Sequence, residues 1–475
     1  MKIKKGKSVL KTGEVIYLVA ESKQNRLPKH LKKEVETGIK SGQEFIHVYD
    51  DGRLGAVVIT PKDKKSYLSK ETMRNHGANA FNWFSGRKID RVSIVNLSMN
   101  VEHGLDFVEG FQLAGYQFLE LLSDKKGKSH SIQSVQVVDD KLNVSHLNAQ
   151  IALSEAVQWS RDLVNRPLSH LTATDLAKNI ESAGKEHGFR VEIFSKRKIQ
   201  SLKMGGLLAV NKGSIDPPTF TIAEWKPKKP VNDQPVVLVG KGVVYDTGGM
   251  SLKPTPNSMD FMKSDMGGAA AMAGTIKAAA AMDLPVHIIA LIPATDNRPD
   301  GNAYVPGDVI TMYDGTTVEV KNTDAEGRLL LADALAYAKK LKPSLVFDAA
   351  TLTGASVRAV GVYASSVMGT ADKKVMDDLE AAGENTYERV VRFPLWDEYG
   401  KELQSDVADM SNLGRGEAGQ ISAGKFLQHF TDYPWVHIDI AGPAFLHSPM
   451  TYRTKGGSGV GVRLLIRFMQ KHFEL

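Results

Sequence analysis

Three charged residues stand at alternate positions in KNTDAEGRLLLADAL (Lys321 to Leu335). Asp324, Glu326 and Arg328 are separated by Ala325 and Gly327 and followed at once by an apolar run. Two carboxylates so close in the chain repel each other, and burial adds the loss of hydration to that repulsion. Other acids stand at the ends of apolar segments. Asp246 closes the strand-like part of GKGVVYDTGGMSLKP, beside Gly248 and Gly249 and between Lys241 and Lys253; Asp265 comes 19 residues later, in MDFMKSDMGGAAA, just ahead of an Ala-rich stretch. In open α/β sheets ligands gather outside the carboxyl ends of the strands. Convergence of these loops at such an edge would put four carboxylates in one pocket, which is tolerable only if cations neutralise them. Oxygen-rich donor sets suit Mg2+, Mn2+ or Zn2+, and four carboxylates exceed what one catalytic ion needs, so two ions is the natural count. The bland alternative satisfies each acid separately, with Asp265 capping a helix and Asp324 paired to Arg328.

The pattern around these residues supplies the elements to carry them. PVVLVGKGV (Pro235 to Val243), VHIIALIPA (Val286 to Ala294), SLVFDAATL (Ser344 to Leu352) and WVHIDIAG (Trp435 to Gly442) are near-continuous apolar runs, as expected of strands buried on both faces. GGAAAMAGTIKAAAAM (Gly267 to Met282) and LLLADALAYAKKL (Leu329 to Leu341) read as helices between them. Upstream, EVIYLVA (from Glu14), FIHVYD (from Phe45), LGAVVIT (from Leu54), RVSIVNL (from Arg91) and SIQSVQVVD (from Ser131) read as strands. Residues 70–87 and 105–122 read as helices. The expected architecture is α/β in two domains: a smaller N-terminal α/β domain over 1–146, a linking helix over 147–167 stopped by Pro167, and a larger C-terminal α/β domain over 168–475 with a central mixed sheet.

Composition narrows the chemistry. The 475 residues are 42% hydrophobic and 24% charged, enough apolar content for a core and too much for disorder. There is no cysteine, so disulfides and thiolate metal sites are excluded and any metal is held by O and N donors. The net charge of +6, with local clusters at Lys2, Lys4, Lys5, Lys7 and at Lys125 to Lys128, reads as solvated surface, since no RNP motif, Cys/His finger or sustained basic helix accompanies it. There is no apolar leader, and no stretch approaches the ~20 apolar residues of a membrane span, so a cytoplasmic location is the expectation. The signatures GxSxG, GxxxxGK[ST] and HExxH are missing; GRGEAG (Gly414 to Gly419) matches GxGxxG but follows no strand and reads as a glycine loop. None of the 13 histidines is grouped at ligand spacing, and His437 reads as a core or supporting residue.

At the acidic positions the chain resembles the leucine aminopeptidase (cytosol aminopeptidase) family of metallopeptidases. NTDAEGRLLLADAL is similar to the family signature almost letter for letter, and the likeness continues through VGKGVVYDTGGMSLKP, MKSDMGGAAAM, ATDNRPDGNAYVPGDVI, DAATLTGA and SDVADMSN, spanning Asp162 to Arg467. The resemblance implies an exopeptidase that releases N-terminal residues, Leu and similar ones preferred, through a dinuclear centre (Mn2+ or Zn2+, with Mg2+ a further candidate) and a bridging water or hydroxide. It implies Asp246 and Glu326 as bridging ligands, Lys241 and Asp265 completing one metal site and Asp324 the other. Lys253 and Arg328 are then the catalytic pair, Lys253 as the cation that stabilises the oxyanion and Arg328 as the holder of a bicarbonate. Lys241 would have to bind as a neutral amine, since an ammonium has no lone pair. The resemblance also implies a side-chain pocket of Met262, Thr351, Gly354, Ala441 and Ala444. Ala444 stands where the family often has a larger residue such as Met, from which a roomier pocket accepting Met, Phe or Leu is expected. Peptide substrates and a homohexamer, a dimer of trimers, are further implications; a nucleic-acid-binding role and a narrower dipeptidase activity, on Cys-Gly for example, are the alternatives.

Overall fold

The computed structural model describes residues 1–62 and 66–475. The chain divides into two compact units: residues 1–158 with 448–454, and residues 159–447 with 455–475. The helix read as a linker is Val144–Asn165, ending two residues before Pro167, and the division falls between Gln158 and Trp159.

In the first unit six strands form one sheet: β1 (Lys2–Gly6), β2 (Glu14–Ala20), β3 (Phe45–Asp50), β4 (Arg53–Thr60), β5 (Arg91–Asn96) and β6 (Ser134–Val138), in the order β1-β6-β5-β2-β4-β3. All pairings are parallel except β3 with β4. Alternate side chains leave opposite faces of a strand. Thus Ile16 and Leu18 of β2 enter a core with Phe81, Phe107 and Phe111, whereas Val15 and Val19 enter a second core with Leu31 and Val35. The helix expected over 105–122 is Val101–Ala114. Asn100 caps its start by accepting from Glu102 N–H, Gly115 ends it, and the apolar residues beyond are irregular, with Leu121 and Leu122 exposed. β1 was not expected from its Lys-rich sequence.

The second unit carries a nine-stranded mixed sheet. Its strands are β7 (Arg190–Phe194), β8 (Thr219–Trp225), β9 (Val236–Gly240), β10 (Gly242–Asp246), β11 (Ile288–Asn297) and, past a short hairpin of β12 (Val309–Thr311) and β13 (Thr317–Glu319), β14 (Leu345–Ala350), β15 (Ser365–Gly369) and β16 (Val390–Arg392). β17 (Met410–Ser411) pairs with β13, and β18 (Trp435–Asp439) completes the large sheet, whose order is β16-β15-β18-β14-β9-β11-β8-β7 with β10 paired to β11. The four central strands β18, β14, β9 and β11 run parallel, so their carboxyl ends share one edge. The expected single strand PVVLVGKGV breaks at Lys241 into β9 and β10.

The Ala-rich helix Gly267–Ala281 lies against this sheet with almost no side-chain spacer. A Cβ at Gly268 would stand 1.9 Å from the Ala349 carbonyl oxygen of β14, so only glycine permits the approach. The N-terminus of that helix is thereby pinned at the carboxyl edge, where Ala269 N–H donates to the Lys241 carbonyl (2.9 Å).

Candidate metal centre and active site

The carboxyl edge delivers the charged residues. Lys241 sits at the break after β9, Asp246 ends β10, Asp265 precedes the Ala-rich helix, and Asp324 and Glu326 lead into the helix Gly327–Ala338. Lys241, Asp246, Asp265 and Glu326 are each at most 4% exposed. Two lysines lace the acids together. Lys241 Nζ lies 2.7 Å from Asp265 Oδ1 and 2.9 Å from Glu326 Oε1, and Lys253 Nζ lies 2.9 Å from Asp246 Oδ2 and against Asp324 Oδ1.

The bland alternatives fail on geometry. Asp265 is not an N-cap: Met266 holds that position with no side-chain bond, and Asp265 turns instead to Lys241 and to the Thr351 hydroxyl (2.8 Å). Asp324 does not pair with Arg328, because residues four apart face each other only within a helix and Asp324 lies ahead of this one. Among the described residues no carboxylate comes within 4.0 Å of the Arg328 guanidinium. Its Nη1 donates to the Asn412 carbonyl (2.8 Å), and its buried Nε has no partner.

The residues present fit a divalent-metal centre. One ligand oxygen each from Asp246, Asp265 and Glu326 lies within 4.8 Å of the others, and all three residues are buried. Asp265 Oδ2 and Glu326 Oε2 are buried without a hydrogen-bond partner, a costly state for a carboxylate unless a cation stands there. The electrostatics agree. Burial pushes Asp246 up to about 7, with Glu326 adding to the push, and it holds Asp265 and Asp324 above the usual carboxylate range. For Glu326 burial is outweighed by Lys241 and Lys253, and its pKa falls. Burial also opposes the charges of both lysines, yet the surrounding carboxylates raise their pKa values. A cluster that strengthens its ammonium groups while most of its carboxyls still lean toward protonation is short of positive charge; with no ion bound Lys241 is held as an ammonium, and it could serve as a ligand only by giving up that proton to an incoming cation. A second grouping of His30, Asp50 and Asp51 lacks this character: two of its members are exposed, and Asp50 is engaged by Tyr17, His30 and Arg53.

Several supporting residues were missed in the sequence. Asn297, fully buried at the end of β11, donates from one amide nitrogen to Asp246 Oδ1 (2.8 Å) and to the Thr323 carbonyl (2.9 Å), tying the two acidic loops together. Gly248 N–H, at a φ of +86°, donates to the same Asp246 oxygen (2.8 Å). Thr323 Oγ1 donates to the Gly248 carbonyl and accepts from Ser251 N–H. A further buried pair, His437 Nδ1 with Asp348 Oδ1 (2.6 Å), stands on directly opposed residues of β18 and β14. His437 is therefore a supporting residue and not part of the acidic cluster; its Nε2 is buried without a partner.

The positions expected to form a side-chain pocket lie on segments next to the charged cluster. Thr351 bridges to the charged cluster, its hydroxyl to Asp265 and its carbonyl accepting from Lys241 Nζ (2.9 Å). Thr351 and Ala444 face each other across Gly267, whose Cβ position is 3.2 and 3.3 Å from their methyl carbons. Ala441 N–H and Leu352 N–H share one oxygen of Asp439, which ties the loop of Ala441 to the segment that leads into Gly354, and the Met262 carbonyl accepts from Asp265 N–H (3.3 Å).

Comparison with known proteins agrees with this geometry. The catalytic-domain model of the cytosol aminopeptidase family matches residues 158–466. A probable cytosol aminopeptidase of Chlorobium luteolum is 46% identical over 385 residues, covering 77% of this chain and 75% of its own length. One from Geobacter sp. strain M21 is 39% identical over 444 residues, covering 92% and 89%. Among solved structures, the bottromycin maturation enzyme BotP in complex with Mn superposes with a TM-score of 0.86 at 29% identity, over 97% of this chain and 99% of that one. A mutant of tomato leucine aminopeptidase gives 0.85 at 25%, over 99% and 96%. The chain belongs to the cytosol aminopeptidase family and is thus a metal-dependent aminopeptidase, a hydrolase of peptide bonds.

Proposed function

We propose that this chain releases Leu and similar residues from the N-termini of peptides through a dinuclear centre held by Lys241, Asp246, Asp265, Asp324 and Glu326. The observation that carries this is the buried trio Asp246, Asp265 and Glu326, with two of its carboxylate oxygens lacking a partner. When bound, the ions supply electrophilic activation of the scissile carbonyl and of water at neutral pH. Mn2+ is favoured over Zn2+ and Mg2+ because the structural neighbour BotP was solved with Mn.

The chain's own groups do the rest. Lys253, held charged by Asp246 and Asp324, is the cation for the developing oxyanion, a role worth most where water is excluded. Burial lowers Arg328 to about 10, against the pull of Glu326 and Asp439, which still leaves it protonated at neutral pH and no base there. Its unpartnered Nε, the absence of a carboxylate within 4.0 Å among the described residues and its place in the first turn of a helix suit a small planar anion, and we assign bicarbonate there as the proton carrier. Thr351, Gly354, Ala441, Ala444 and Met262 form the pocket for the released side chain. Ala444 leaves room there for Met, Phe or Leu. We further propose the cytosolic setting that the relatives' names carry and a hexameric assembly, which light scattering would check.

Hydrolysis of Leu-amide with Mn2+, with Zn2+ and after chelation tests the reading. Activity should vanish on chelation, return with metal, and fall by about 10²- to 10³-fold in Lys253→Ala. Activity that survives chelation, or a fully active Lys253→Ala variant, would overturn it.

A further inference from the structure

Asp439 ends β18 at the carboxyl edge and is completely buried, yet it is none of the proposed metal ligands, and among the described residues it has no ion-pair partner within 4.0 Å. Its oxygens are fully engaged. Oδ1 accepts from Leu352 N–H (3.2 Å) and from Ala441 N–H (3.1 Å), and Oδ2 accepts from the Thr353 hydroxyl (2.7 Å). Thr353 Oγ1 in turn accepts from Ser356 N–H (3.0 Å), capping the helix Gly354–Val360. One carboxylate thus binds two loops, residues 351–354 after β14 and residues 440–444 after β18. These loops carry four of the five proposed pocket residues.

We infer that Asp439 is a positioning residue that clamps these two loops against each other and so sets which N-terminal side chain the enzyme accepts. The inference rests on the pocket assignment given above and goes beyond it, since Asp439 is not one of the proposed pocket residues. A carboxylate suits the task because it accepts at both oxygens. Asparagine keeps one acceptor for the two backbone N–H groups but turns a donor toward Thr353; the Thr353 oxygen can accept it only with its own buried hydroxyl proton left without an acceptor, which weakens the tie. Release of Thr353 frees the end of the loop whose other end, Thr351, touches both Asp265 and Lys241.

A merely structural role would lower stability and slow all substrates alike; a positioning role changes the ratio between them. The test measures kcat/KM for Leu-, Phe- and Ala-amides with Mn2+ in Asp439→Asn, Thr353→Val and Thr353→Ser, with Mn2+ affinity by calorimetry alongside. A pocket contact of one or two methylenes is worth roughly 10- to 200-fold in discrimination. Asp439→Asn should therefore reduce the Leu/Ala ratio by about 10-fold, and Thr353→Val should shift it in the same direction. Thr353→Ser, which keeps the hydroxyl, should retain the wild-type ratio, with Mn2+ affinity preserved in all three. Should Asp439→Asn not fold, Thr353→Val decides. Unchanged ratios in the variants, or equal losses on all three amides, would overturn the inference while leaving the pocket assignment intact. A wild-type enzyme that does not discriminate Leu from Ala would sink the pocket assignment and this inference together.

Discussion

Gly327, between Glu326 and Arg328 at the start of the helix Gly327–Ala338, offers a test that separates chemistry from stability. A Cβ there would stand 2.4 Å from Lys241 Cε and 2.7 Å from both its Cδ and its Nζ. Non-bonded carbons prefer about 3.5–4.0 Å, so in Gly327→Ala the end of Lys241 must move by roughly 1 Å. That displacement takes Nζ away from Asp265, Glu326 and the Thr351 carbonyl, now 2.7–2.9 Å distant. A misplacement of about 1 Å in a reacting centre costs on the order of 100-fold, or about 2.7 kcal/mol in the barrier. Helix propensity works the other way, favouring alanine by up to ~1 kcal/mol, and Lys241 is a flexible neighbour, so thermal stability should hardly fall. Gly268→Ala makes the contrast: its Cβ meets backbone, which cannot swing aside, and the protein should melt lower whatever its activity. Leu-amide hydrolysis at saturating Mn2+ and scanning calorimetry read the two effects separately. A Gly327→Ala enzyme within about threefold of wild type, with unaltered Mn2+ binding, would refute the placement of the Lys241 amine in the metal site.

Two further outcomes concern stability. Because the acidic cluster is short of positive charge, chelation should lower Tm as well as abolish activity, and Mn2+ at about 100 times its Kd should restore roughly 2.7 kcal/mol; a Tm indifferent to metal would contradict the electrostatic reading. For His437 burial opposes the charge, but Asp348 and Asp439 outweigh burial, and Arg328 is the opposing cation, so the pKa is raised. A raised folded value means that the pair's contribution is full below the unfolded value near 6.5 and is lost as pH rises through the folded one. Between pH 6 and pH 9 the wild-type Tm should therefore fall more than that of an Asp348→Asn/His437→Gln double variant; parallel profiles would show that the pair does not titrate there.

The acidic cluster was legible because its members lie in three short segments, each marked by neighbouring glycines at the end of an apolar run. The central strands were legible for the same reason: sequences such as VHIIALIPA have no solvent face. What escaped notice depends on contacts across the fold. Asn297 joins Asp246 to Thr323, Asn412 anchors Arg328, and Asp439 holds Leu352 and Thr353, and nothing in the local pattern of any of them announces a partner 26 to 87 residues away. The pocket residues came from family resemblance and not from periodicity. Strands such as β7 (RVEIF), at one edge of the large sheet, and β15 (SSVMG), one strand in from the other edge, lack an apolar run and were not expected. A capping role for Asp265 needs its helix to begin one residue earlier than it does, and a shared helical face for Asp324 and Arg328 needs theirs to begin three residues earlier.

The proposed centre holds two ions on five side chains, and a calorimetric titration of chelated, dialysed enzyme with Mn2+, with Leu-amide hydrolysis followed at each addition, counts them. The predicted result is two ions bound per chain, with activity complete only when both sites are filled. A single bound ion giving full activity, or no specific binding at all, would contradict it.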